Sequence, residues 1–541
     1  MFEPGQLLRH FNRKVAVGTA HIKSITNRLA TNWGVRRKVD AMYRQSLSPQ
    51  PVSNTGALLA DGLWDNPNHF FRLSLYLAAL DSPRTMKRIA IVRAHGSGPQ
   101  RRTLKALGFT HFIEISDKPE ERFEEEASKL LDNIHTHREL LELKLPVDLP
   151  AYIFYDAALK RARHPQPKLS DPCWKLSLAQ ALAAVSQMND ILSAEDVRHV
   201  VLSHPWGLPY GAIAWVAISR KIPTNHLTGY NEGIRIRRLD TPQAFETPVE
   251  HLSYKDYKKL SSHERAELSN IGQLEFNRRT TGRSTDINSR YAFNEQRRQE
   301  AGQARRQWLG NDQRPVVLIC SHVWFDFPHT FAMSNFTDFL DWMQLTLSHI
   351  VNIKNVVWVL KPHPTEKWYG GFQLSQIAPH GLDHIITLPH DFDQATALAM
   401  CDAVVTVHGT AGIEAGIVGR PVLCADRNYY SDWPFVTTAR SRAEYTEFLQ
   451  NICALPKASL ETIQAAAACF AAALAQPNER DLRLRLQCDS LTNMLYQELK
   501  AGPLVAPENL AEEKMRIGLW LASRTGSYAV HSLTENLKMQ A

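Results

Sequence analysis

Residues 401–430, CDAVVTVHGTAGIEAGIVGRPVLCADRNYY, constrain the fold more than any other stretch of the chain. The run 403–407 (AVVTV) is apolar and β-branched, the composition of a strand buried on both faces. His408, Gly409, Thr410, Ala411 and Gly412 then turn the chain, and Thr410 is placed to cap a helix opening with Ile413, Glu414 and Ala415. Gly419, Arg420 and Pro421 close that helix, and 421–424 (PVLC) reads as the next strand. A strand, a glycine-bearing turn, a helix and a strand make a βαβ unit with a parallel sheet. Such a turn presents free backbone N–H groups at the positive end of a helix dipole, which suits a phosphate. Glu414, one turn inside, is placed to accept hydrogen bonds from a ribose. The same turn also serves in many α/β domains for packing alone, and this stretch by itself does not separate the two readings.

A second α/β pattern precedes it. The runs 87–93 (KRIAIVR), 112–115 (FIEI), 151–155 (AYIFY) and 200–202 (VVL) are expected as strands, with helices over 120–143, 176–187 and 210–219. Residues 240–312 are polar and read as a helical connector. Strands then resume at 315–320 (PVVLIC), 356–360 (VVWVL) and 384–388 (HIITL), with a helix over 336–350. The expected organisation is a helical and linker region at 1–85, Rossmann-like domains at 86–240 and 313–435, a connector at 241–312, and helices over 436–541. A chain of 541 residues exceeds one core, which fits two large domains with appendages.

Seven scattered cysteines without a CxxC pair argue against a disulfide framework and against a structural zinc site. No 18-residue apolar span or signal pattern occurs, so a cytoplasmic protein is expected. The net charge of +7 suits an anionic substrate; eight Lys or Arg within residues 1–40 would allow peripheral association with an inner membrane surface, although a solvated face of an N-terminal helix is the preferred reading. Basic residues are otherwise spread evenly and are not interleaved with aromatics, which speaks against a nucleic-acid partner.

Three strand ends of the second half deliver polar groups: 321–326 (SHVWFD), 361–366 (KPHPTE) and 408–414 (HGTAGIE). Parallel sheets place ligands at their carboxyl edges, so the three are expected at one site. Lys361 and His363 suit a phosphoryl group, and the prolines flanking His363 stiffen its presentation. In the first half, Glu232 sits between Gly229 and Gly233 and precedes Arg235, Arg237 and Arg238, a candidate cleft residue. The triplet Asp391-Phe392-Asp393 has the spacing of a metal-dependent sugar transferase, but Asp393 also stands where a helix cap is needed, and the cap is the preferred reading. The histidines at 322, 363 and 408 come from separate loops with no local ligand pair, so no metal site is expected.

These motifs together resemble the capsule polysaccharide biosynthesis family, which includes retaining β-Kdo transferases of capsule and lipopolysaccharide assembly. The resemblance covers about residues 315–432 and extends in outline to the preceding α/β half; the same motifs also resemble those of teichoic-acid glycerophosphotransferases and other nucleotide-sugar enzymes. It implies a GT-B architecture, two Rossmann-like domains facing each other across a cleft, with additional N- and C-terminal helices. The implied activity is a glycosyltransferase moving a sugar, Kdo or a related acidic sugar from CMP among the candidates, to a glycan or lipid-linked acceptor, without a cofactor. It further implies that His322, Lys361, His363, His408, Gly409, Thr410 and Glu414 hold the nucleotide-sugar donor. Asp326 would attack the anomeric carbon, and Glu232 would act as acid and base. The rival readings are a glycerophosphate or sugar-phosphate transferase, a UDP-sugar enzyme, and a non-catalytic scaffold of the same fold.

Overall fold

The computed structural model describes residues 56–80, 86–228, 234–246, 252–283, 287–474, 507–523 and 525–540. Glu232 and the basic segment 1–40 lie outside them. Two six-stranded sheets organise the rest. The first comprises β1 (Ala57–Asp61), β2 (Lys87–Arg93), β3 (His111–Ile115), β4 (Val197–Leu202), β5 (Thr224–Thr228) and β6 (Arg235–Arg238), in the order β3-β2-β1-β4-β5-β6. Its strands are parallel except β6, which pairs antiparallel to β5. The second comprises β7 (Val316–Cys320), β8 (Val357–Lys361), β9 (Ile385–Thr387), β10 (Ala403–Thr406), β11 (Val422–Cys424) and β12 (Val436–Thr438), in the order β12-β11-β10-β7-β8-β9, all parallel. Each is a Rossmann-like sheet covered by helices, as the apolar strand runs require. The fold is the expected two-sheet α/β architecture.

Four elements differ from the sequence expectation. The helix expected over 120–143 is two, Glu121–Leu131 and His137–Leu141, the second opened by a capping box at Thr136. The segment read as linker and helix over 1–85 contains β1, which pairs with both β2 and β4 and is fully buried. The run 151–155, expected as a strand, opens the helix Tyr152–Ala162. Its aromatic and β-branched residues favour strand locally, but Ile153, Phe154, Ala158 and Leu159 pack one helix face into the core, and that packing decides. The region 436–541, expected as helical, contributes β12 at the edge of the second sheet.

Two features set the site's surroundings. The connector helix Ser262–Thr280 starts with a capping box between Ser261 and Glu264. It crosses the alanine-rich helix Leu460–Leu474 at Gly272, where an added Cβ would lie 1.7 Å from the Ala467 carbonyl oxygen. This close seam carries Arg279, near the helix C-terminus, to the second sheet. The two halves are joined through the helix Tyr152–Ala162 of the first. Asp338 caps the helix Phe339–Ile350, accepting the Leu340 and Asp341 N–H groups through Oδ1 at 2.8 and 2.9 Å. Its Oδ2 accepts the Tyr155 hydroxyl at 3.0 Å and the Gln166 amide at 2.8 Å. Beside it, buried His329 pairs with Asp156 at 2.7 Å. On the far side, Arg238 of β6 donates to the Ser523, Trp520 and Leu521 carbonyls, capping the helix Pro507–Ala522 against the first half.

Candidate functional site

The carboxyl ends of β7, β8 and β10 meet at a cleft of ≈ 520 Å³ between the two halves. Asp326, His322, Lys361, His363, His408, Gly409, Thr410 and Glu414 all line it, together with Trp206, Thr228 and Arg235 from the first half. The three motifs, separate in sequence, therefore form one surface.

The strand ends are tied to each other before any ligand arrives. Ser321 donates its N–H to the Lys361 carbonyl at 3.0 Å, and its Oγ accepts the His363 N–H at 3.0 Å. His363 Nδ1 accepts the Thr365 N–H at 3.3 Å, so the neutral ring carries its proton on Nε2. Burial and the neighbouring Lys361 pull His363 down to about 4. His322 stacks on Phe339 with centroids 4.4 Å apart, and its Nε2 accepts the His408 N–H at 3.3 Å. Burial and the His408 and His363 rings hold it well below the ordinary histidine value. Burial takes His408 down to about 3, and its Nε2 has no hydrogen-bond partner among the described residues. All three rings are neutral at pH 7.

Lys361 is 2% exposed, and among the described residues no hydrogen bond or ion pair reaches its ammonium group. Burial pushes its pKa below the usual lysine value, partly offset by Cys320, Glu414 and Asp393. Two of those carboxylates have cations of their own: Arg279 Nη1 stands 3.9 Å from Glu414, and Arg298 Nε stands 3.4 Å from Asp393. The amide nitrogen of Gln394, on the same cleft, is also buried without a partner among the described residues. Close by, the helix Thr410–Ile417 begins. Its N-cap is Gly409, not the Thr410 expected from sequence, and no side chain caps it. Thr410 is the first helical residue and lines the cleft. The cavity thus collects a buried ammonium, donors without partners and an open helix N-terminus, a combination that favours an anion.

Asp326, in the loop after β7, is partly exposed and forms an ion pair with Lys160 of the first half. Lys160 Nζ also lies 4.9 Å from the Tyr369 ring centroid. Glu414 is buried, and its carboxylate faces Arg279 as well as the cleft. Asp393 caps the helix Gln394–Met400 by accepting the Thr396 N–H at 2.8 Å, and Asp391 pairs with Arg297. The triplet is thus a cap and an ion pair, as preferred. Lys160, Arg279, Gln394 and Trp206 were not singled out from sequence. Lys160 follows the run expected as a strand, and helical periodicity over 152–162 is the signal that places it.

The carboxyl edge of the first sheet is built otherwise. Asp61, at the end of β1, is 0% exposed and accepts the Ser203 N–H and, at 2.9 Å, the Ser203 hydroxyl. Burial raises its pKa. His204 packs edge-on to Trp64 at 4.6 Å and beside Tyr210, and burial takes it down to about 4.

Residues 287–467 match the family described as capsule polysaccharide biosynthesis protein. The resemblance read from the motifs holds over that stretch. No curated protein is similar to the chain at a significant level. Among solved structures, KpsC of Thermosulfurimonas dismutans, a beta Kdo 2,4 transferase, aligns with 50% of this chain and 79% of its own at 14% identity and a TM-score of 0.32. UDP-GlcNAc 2-epimerase from Neisseria meningitidis aligns with 78% of this chain and 97% of its own, at 11% and 0.23. The wall teichoic acid polymerase TagF aligns with 88% of this chain and 96% of its own, at 9% and 0.24. Likenesses this distant leave the activity to be argued from the site. Among the described residues no helix is long and apolar enough to cross a membrane.

Proposed function

We propose that the cleft binds the phosphate of a nucleotide-activated sugar, and that the chain transfers this sugar to a glycan or lipid-linked acceptor in surface polysaccharide assembly. The observation that carries the reading is Lys361, a buried ammonium without a partner among the described residues, beside the uncapped start of the helix Thr410–Ile417. A lysine held in this way costs folding free energy unless an anion is expected at its side. The family match of residues 287–467 supports a saccharide as the group carried. The finer reading is Kdo or a related acidic sugar from CMP, used at the inner face of the inner membrane by a cytoplasmic enzyme that takes no further cofactor.

In that reaction the His363 Nε2–H, the Lys361 ammonium and the helix N-terminus stabilise the negative charge that grows on the leaving phosphate. A carboxylate oxygen of Asp326 attacks the anomeric carbon as the bond to the phosphate breaks, and the acceptor hydroxyl then displaces Asp326. Lys160 holds Asp326 on the cleft wall. Proton transfer to and from the acceptor is assigned to Glu232, on the resemblance alone.

A thermal-shift comparison of CMP, CDP, UDP and GDP tests the first step, because a nucleotide that binds the native state raises Tm by mass action. Stabilisation by CMP, lost in His363→Ala, is the expected result. UDP or CDP as the only stabilisers would replace the donor, and no response to any nucleotide would leave a non-catalytic scaffold as the better reading. Asp326→Asn should abolish turnover while keeping the nucleotide shift; turnover within a few-fold of wild type would remove Asp326 from the chemistry.

A further inference from the structure

Large apolar side chains exposed to solvent are few among the described residues, and the aromatic ones among them are Tyr291, Trp368 and Tyr369, at 46%, 51% and 39% exposure. They are not scattered. Trp368 and Tyr369 end the short helix Glu366–Tyr369, which follows the His363 loop, and Tyr291 belongs to the helix Ile287–Ala292 of the connector. The Tyr291 and Trp368 rings meet edge to face. Both elements also line the cleft, through Tyr369 on one side and Ser289 and Ala292 on the other. The patch is therefore the rim of the cleft, continuous with its wall. It lies at the seam of the two halves, since the Lys160 ammonium of the first half sits against the Tyr369 ring.

Around the rim Lys367 is exposed between Glu366 and Trp368, while Arg297 and Lys160 are paired with Asp391 and Asp326. His390 feels Lys367, Arg297 and Lys361. Of the nearby carboxylates, Asp391 is taken by Arg297, and Glu366 is turned inward, accepting the Trp324 indole N–H at 2.9 Å. Rigid aromatic rings standing in water beside cations offer flat apolar faces for the C–H faces of a pyranose and charge for its carboxylates or phosphates.

We propose that Tyr291 and Trp368 form an outer saccharide subsite, which holds a sugar ring of an acidic glycan chain while its end reaches into the cleft. The inference rests on the reading of the cleft as a glycosyltransferase site and adds that its acceptor is an anionic oligosaccharide more than one ring long. The subsite would favour an already extended acceptor over a single sugar.

Isothermal titration of the full chain with oligogalacturonides of two, four and eight residues, against malto-oligosaccharides of the same lengths, tests it. Wild type should bind the acidic series, more tightly with length, and the neutral series more weakly. Trp368→Ala and Tyr291→Ala should each weaken binding of the eight-residue acidic chain by about tenfold, the scale of one lost aromatic contact. Affinity unchanged in both variants, or no binding of any acidic oligosaccharide to wild type, would overturn the subsite. Both side chains are exposed, so the fold should tolerate their loss; far-UV circular dichroism of each variant checks this. The nucleotide thermal shift in Trp368→Ala separates the two claims. A shift kept while oligosaccharide binding falls is the expected pattern, whereas a wild type that answers oligosaccharides but no nucleotide would sink the cleft reading and leave the subsite standing.

Discussion

The carboxyl edges of the two sheets hold similar side chains and use them in opposite ways. On the first, the carboxylate of Asp61 is closed by the Ser203 N–H and hydroxyl, and His204 is packed between Trp64 and Tyr210, while His69 Nδ1 is buried there without a partner among the described residues. On the second, the Gln394 amide and His408 Nε2 are buried without partners among the described residues, beside Lys361, a residue only 2% exposed whose ammonium makes no ion pair there. Satisfied polar groups fix a structure, whereas unsatisfied ones store free energy that a ligand can release. The difference that remains is one of sign: the first edge closes a carboxylate with donors, whereas the second collects a lysine and donors that suit an anion.

That contrast can be broken most directly at Lys361. Lys361→Met should weaken nucleotide binding by about 10–100-fold, the loss of a charge-assisted hydrogen bond. It should also leave Tm unchanged or raise it, because a buried charge without a partner is replaced by an apolar chain of similar length. A clear fall in Tm with nucleotide binding intact would mean that Lys361 is structural and the contrast false. Asp61→Ala should behave in the reverse sense. It leaves the Ser203 N–H and hydroxyl without their acceptor, at a cost of about 1–3 kcal/mol in chemical denaturation, while the nucleotide shift persists. Turnover abolished in Asp61→Asn at undiminished stability would show that the first edge is also part of the reaction.

The smallest effect sharpens the comparison. Each edge holds neutral histidines with depressed folded-state values: His69 at about 3 and His204 at about 4 on the first, His363 at about 4 and His408 at about 3 on the second. Unfolding lets each rise to the ordinary histidine value of 6.5 and take up a proton. The unfolded state therefore binds more protons, so this stability is present above pH 6.5 and is lost as pH falls from there towards 4. A nucleotide phosphate beside His363 favours the charged ring and raises its folded value. Saturating CMP should thus flatten the acid slope by up to one proton, measured by urea denaturation between pH 4.5 and 6.5. An unchanged slope would place the phosphate away from His363.

What was legible in the sequence was local. The β10–turn–helix–β11 unit is visible because its apolar run, glycine turn and closing Gly-Arg-Pro lie within thirty consecutive residues, and the β7 and β8 strand ends are legible for the same reason. Their convergence follows from the parallel-sheet rule. The partners were not legible. Lys160 meets Asp326, and Arg279 meets Glu414, across separations of more than a hundred residues, and nothing in either local stretch names the other. β1 is not legible locally because ALLAD is only five residues long and follows a polar, proline-bearing stretch, whereas its burial comes from β2 and β4 on either side. Thr410 is expected as a cap because its hydroxyl suits the task, yet Gly409 takes the position and Thr410 lines the cleft as the first helical residue.

The double duty of Asp338 bears on how quickly anything enters or leaves. One oxygen holds a helix of the second half and the other holds Tyr155 and Gln166 of the first, with the Asp156–His329 pair alongside. A hinge that swung the halves apart here would strand several buried polar groups at once, a barrier rather than a soft spring. Exchange of ligands should then run on the timescale of loop motion at the mouth. The backbone amides of residues 152–162 should resist deuterium as long as those of the second sheet.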